Sequence, residues 1–109
     1  WLGDEEVLPT ERIAVPAAWD YTAARTVEAG LDNCFDGWDG CAVITWPGSR
    51  LRLELQASTP FRHAVVYTPA NQPFFSFEPV SHANGKIAES LLAPGATLGG
   101  DIALRLSAL

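Results

Sequence analysis

The chain has 109 residues, 48% of them hydrophobic and 18% charged, with 13 Asp and Glu against 7 Lys and Arg and a net charge of -6. An acidic chain whose basic residues are scattered, Arg50 and Arg52 being the closest pair, is repelled by phosphate backbones, which argues against a nucleic-acid partner. No apolar run nears the ~20 residues of a membrane-spanning helix and no signal peptide is visible, so no membrane partner is expected.

In chain order, Trp19 to Glu28 is the one stretch with room for a helical turn. The run LDNCFDGWDG, residues 31–40, then packs Asp32, Asp36 and Asp39 with Asn33 and two glycines beside Phe35 and Trp38. That density points to a turn-rich loop or to calcium. The spacing is not that of an EF-hand, and Asp36 and Asp39 read as turn residues near glycine. Cys41 to Trp46 predicts a strand. After the turn residues Pro47, Gly48 and Ser49, Leu51, Leu53, Leu55 and Ala57 alternate with Arg50, Arg52, Glu54 and Gln56, the period of a half-buried antiparallel strand. The two strands are expected to form a hairpin. His63 to Thr68 is the next strand, Pro69 to Pro73 a stiff loop, and Phe74 to Glu78 the strand after it. Beyond Pro94-Gly95 and Gly99-Gly100, Ile102, Leu104 and Leu106 alternate with Ala103, Arg105 and Ser107, a last strand. Short strands in succession with no long helix predict an all-β antiparallel sandwich.

Glu78 is the first candidate for chemistry. Phe74, Phe75 and Phe77 are available to fill a core and hold the strand still, while Pro79, lacking a donor, is expected to end pairing just after Glu78. A carboxylate aimed at a sheet rim beside aromatic rings suits a general base, whose geometry is fixed and whose charge is tuned by partial burial. His82 follows four residues later, placed to orient Glu78 or border a pocket, whereas His63 near a strand start reads as structural. Two His without His-x-x-x-His or Cys-His spacing predict no metal site. Ser81 and Ser90 lack the setting of a hydrolase nucleophile and no phosphate loop is present, so no cofactor is expected. Cys34 and Cys41 read as free thiols in a reducing cytosol, which makes the expected location cytoplasmic.

The stretch YTPANQPFFSFEPVSHANG, with LDNCFDGWDG upstream and LLAPGATL downstream, resembles the C-terminal part of the aldose 1-epimerase (galactose mutarotase) family. The resemblance runs from about Leu8 to the end, and Glu-Pro-Val-Ser-His is its most specific block. It implies that Glu78 takes the anomeric hydroxyl proton of a cyclic sugar while a His from an earlier part of the fold protonates the ring oxygen. The ring then opens and closes on the other face. It also implies that Asp32 accepts hydrogen bonds from sugar hydroxyls, with Phe35 of the same block lining the pocket. At the turn Ser58-Thr59-Pro60 the family often carries Gln where Thr59 stands, so Thr59 takes that substrate contact with different chemistry.

A chain that starts at Trp1 and has no Met is expected to be a piece of a longer one. Residues 1–109 then form the C-terminal part of a single mutarotase-like supersandwich domain, completed by the missing N-terminal part or by a second copy of the chain. The implied activity is interconversion of α and β anomers of a hexose, with little turnover from the isolated piece because the acid His lies outside it. The alternative is a non-catalytic carbohydrate-binding protein on the same fold. A glycoside hydrolase needs a second carboxylate across the pocket, for which only Asp32 is available.

Overall fold

A chain with almost no helix pairs its backbone donors and acceptors between strands. The computed structural model, which describes residues 1–86 and 91–109, contains eight of them: β1 (Leu2–Gly3), β2 (Pro9–Glu11), β3 (Asp32–Asp36), β4 (Cys41–Trp46), β5 (Leu51–Ala57), β6 (His63–Tyr67), β7 (Ser76–Val80) and β8 (Ile102–Ala108). Every pairing is antiparallel, in a β1-β2 ribbon and two three-stranded sheets, β3-β6-β7 and β4-β5-β8. Ser90 lies outside the described residues.

The alternating segment at 51–57 forms the central strand of its sheet, and the hairpin to β4 closes through a 3-10 turn at Pro47–Ser49 with Arg50 left-handed at φ 52. Directly opposed residues of an antiparallel pair share a face. Ala42, Ile44 and Trp46 of β4, Leu51, Leu53, Leu55 and Ala57 of β5, and Ile102, Leu104, Leu106 and Ala108 of β8 therefore make one continuous apolar face. Leu55 and Ala57 are buried on it, whereas Leu104 and Leu106 on the outer strand are 64% and 63% exposed. Among the described residues the outer part of this face is left exposed. The accessible surface is 7705 Å², against about 5,900 Å² expected for a compact chain of 11.7 kDa. The radius of gyration, 15.2 Å, likewise exceeds the ~13 Å of a compact domain this size.

Four local expectations are corrected. Residues 32–36 are a strand rather than part of a loop, and the turn begins at Gly37; Asp36 ends β3 paired with Arg12, and only Asp39 caps the turn, accepting from the Cys41 N–H at 2.9 Å. No helix forms over 20–28; the 3-10 turn at Ala17–Trp19 ends where the expected stretch begins. Pro79 does not end β7, which runs on to Val80. As an outer strand, β7 tolerates the missing donor where no neighbour needs it. Phe74 and Phe75 precede β7, and Phe74 is exposed rather than in the core.

Candidate functional site

The register of β3-β6-β7 assigns each side chain to a face. Asp32, Tyr67 and Ser76 form one row across the three strands, Cys34, Val65 and Glu78 the next, and Asp36, His63 and Val80 a third, all on the same face. Asn33, Phe35, Ala64, Val66, Phe77 and Pro79 point to the other side. The second face is the apolar one. There Phe35 meets Trp19 edge-on with ring centroids 6.4 Å apart, and Phe77 meets Trp38 at 5.3 Å, so two aromatic pairs fix the sheet from behind.

Asp32 and Glu78 thus project from one surface, two strands and one row apart, which places their Cα atoms about 12 Å from each other by sheet geometry. Glu78 is exposed, and its Oε1 accepts a hydrogen bond from the Ser76 hydroxyl at 3.0 Å. That bond ties the carboxylate to the row that contains Asp32. Between them the floor is Cys34 and Val65. Burial pushes the Cys34 thiol pKa up, the nearby N-terminal ammonium partly offsetting it and Asp36 adding to it. His63, at the third row, keeps its Nδ1 buried without a hydrogen-bond partner among the described residues.

A cavity of about 170 Å³ opens over the Asp32 side of this face, lined by Asp32, Asn33, Cys34, Val65, Asn84 and the segment Glu6 to Pro9. It is smaller than the ~300–1,000 Å³ of most small-molecule sites. The β1-β2 loop forms one wall of the cavity. Asp4 accepts from the N–H groups of Glu6 and Leu8, both at 2.9 Å, and holds Val7 at φ 62, a strained backbone for a β-branched residue. The ribbon is anchored to β3 by the Arg12–Asp36 ion pair at 2.6 Å and by Asn33 Nδ2 donating to the Trp1 carbonyl at 2.9 Å. A second hollow of about 320 Å³, between 27–29 and the 68–75 loop, contains neither Asp32 nor Glu78.

No family model, no curated protein and no solved structure matches this chain. Of the expected site residues, the fold brings Asp32 and Glu78 to one face. Phe35 is on the opposite face of the same sheet. Thr59 lies exposed in the turn between β5 and β6, outside both cavities. His82 is half-buried just past β7, its Nδ1 2.9 Å from the Ser81 hydroxyl. Tyr67 and Ser76 were not anticipated; period-two reading of their strands places each on a face, but only the pairing reveals that the face is that of Asp32 and Glu78. Among the described residues no cluster of three or more His, Cys, Asp or Glu has the arrangement of a metal site. No described helix is long and apolar enough to cross a membrane. Cys34 is buried and Cys41 exposed, both free.

Proposed function

We propose that this chain carries the base half of an aldose 1-epimerase site, with Glu78 as general base and Asp32 as the carboxylate that grips sugar hydroxyls. The observation that carries the reading is the shared face of Asp32 and Glu78, added to the resemblance of the blocks in which they occur. A carboxylate accepts hydrogen bonds on both oxygens, which suits the hydroxyl donors of a hexose. In the reaction Glu78 takes the proton of the C1 hydroxyl as the C1–O5 bond breaks and the C1 aldehyde forms. An acid supplied from outside residues 1–109 gives a proton to O5. Rotation about C1–C2 and reversal of both transfers yields the other anomer, with no net change in protons and no cofactor.

The exposure of Glu78 and the open apolar face of β4-β5-β8 favour a site that is finished by more protein, either the N-terminal part of the same fold or a second copy of the chain. The excess surface noted above, about 1,800 Å² on this chain, is roughly twice the ~800 Å² that a standard interface covers on each partner and matches the larger, obligate class. A cytoplasmic location goes with the free thiols in this reading. Polarimetry of freshly dissolved α-D-glucose and α-D-galactose with the full-length protein is the test. Acceleration by wild type that falls about 10²- to 10⁴-fold in Glu78→Gln supports the assignment. Sugar binding without acceleration by wild type replaces it with the non-catalytic carbohydrate-binding reading.

A further inference from the structure

We propose that Tyr67 is the aromatic platform on which the sugar ring lies between Asp32 and Glu78. The proposal rests on the mutarotase reading and gives a role to Tyr67, which opens the quoted stretch but has no contact assigned by the resemblance. Tyr67 is on β6, the central strand, directly opposite Asp32 on one side and Ser76 on the other, and diagonal to Glu78. It is the only Phe, Tyr or Trp that β3, β6 and β7 present on that face, because Phe35 and Phe77 point away and are engaged with Trp19 and Trp38. Tyr67 is 38% exposed although its strand is the middle one of the sheet.

A pyranose offers hydroxyls at its edge and a C–H surface on its face. Carboxylates satisfy the first, and the negative face of an aromatic ring satisfies the second while removing apolar area from water. With Asp32 and the Ser76–Glu78 pair on opposite flanks, Tyr67 is the residue under the middle of any ring that reaches both. An exposed Tyr on a strand is also common for reasons of β-propensity alone. The test therefore separates the ring from the strand preference.

Tyr67→Phe keeps the ring, and Tyr67→Thr keeps the strand preference but removes the ring. In mutarotation kinetics of D-glucose and D-galactose with the full-length protein, Tyr67→Thr is expected to raise KM about two- to tenfold with kcat changed less than KM, and Tyr67→Phe to stay within about twofold of wild type. Proton NMR of the same sugars provides the direct signature: saturation transfer to their C–H protons on binding, retained by Tyr67→Phe and reduced by Tyr67→Thr. Active wild type with an unchanged KM in Tyr67→Thr overturns the Tyr67 proposal and leaves the mutarotase reading standing. Wild type that neither binds nor anomerises either sugar overturns both.

Discussion

Gly40→Ala is the substitution whose cost the fold specifies most closely. Gly40 has φ +88 in the link from β3 to β4, and a Cβ there lies 2.8 Å from the Ala57 carbonyl oxygen and 3.2 Å from an Arg62 guanidinium nitrogen. Arg62 swings aside cheaply. The carbonyl does not, because the Ala57 N–H donates to the Gly40 carbonyl at 2.8 Å and holds the two backbones together. The left-handed backbone costs an alanine about 1–2 kcal/mol, and prising the contact apart loses about 1 kcal/mol of hydrogen bond, so the total is about 2–3 kcal/mol. Gly37→Ala is the internal control: its φ is +69 but nothing lies within 4 Å of the added Cβ, leaving only the backbone cost of about 1–2 kcal/mol. In thermal unfolding followed by circular dichroism, Gly40→Ala is expected to lower Tm by about 10–20 °C and Gly37→Ala by roughly half that. Equal losses in the two variants would refute the contact argument. Since Gly40 joins the strand that carries Asp32 to the other sheet, a large loss also ties site geometry to this one close approach.

Ser76→Ala removes the hydroxyl that holds Glu78 and is expected to lower kcat for mutarotation about threefold, with Ser76→Thr restoring most of it; equal loss in both variants counts against the bond seen at 3.0 Å. Leu55→Ala, 8% exposed between Ala42 and Leu104, is expected to destabilise by about 2 kcal/mol in urea unfolding, the low end for a buried leucine because one side of its sheet is open. Leu104→Ala on the same face is expected to cost under about 1 kcal/mol, and a reversal of that order would show the face to be covered. Cys41 is expected to react with iodoacetamide well before Cys34 when followed by mass spectrometry. Because burial raises the Cys34 thiol pKa, the stability it contributes is complete below the unfolded thiol's pKa of about 8.5 and is lost as pH rises through the higher folded one. Cys34→Ser is expected to flatten that alkaline decline in urea titrations, and an unchanged decline assigns it to other groups.

What the sequence disclosed was local. The β4-β5 hairpin follows from a period-two run and a Pro-Gly-Ser turn that adjoin each other, and β8 from its own alternation. β3 was hidden because its Asp and Asn are poor strand formers; it exists because Cys34 and Phe35 find burial against a strand about thirty residues away. The end of β7 departs from expectation for the opposite reason, a local rule about proline that an outer strand is free to ignore. At the site, Glu78 and Asp32 stood out by motif, while Tyr67 and Ser76 are ordinary strand residues until register sets them beside those two. Register between distant strands is decided by pairing that no local window contains.

The order of strands in the β4-β5-β8 sheet also bears on how the chain is made. A hairpin such as β4-β5 closes in about 1–10 μs, whereas β8, which pairs with β5 along all seven of its residues, emerges from the ribosome roughly 50 residues and about 3–10 s later. Through that interval the Leu51, Leu53 and Leu55 stripe sits on a two-stranded ribbon, a unit of marginal stability in water. The nascent chain therefore passes through a stage lasting many hairpin closure times in which the central strand of this sheet has a vacant neighbour position, and a holding chaperone has its natural substrate there.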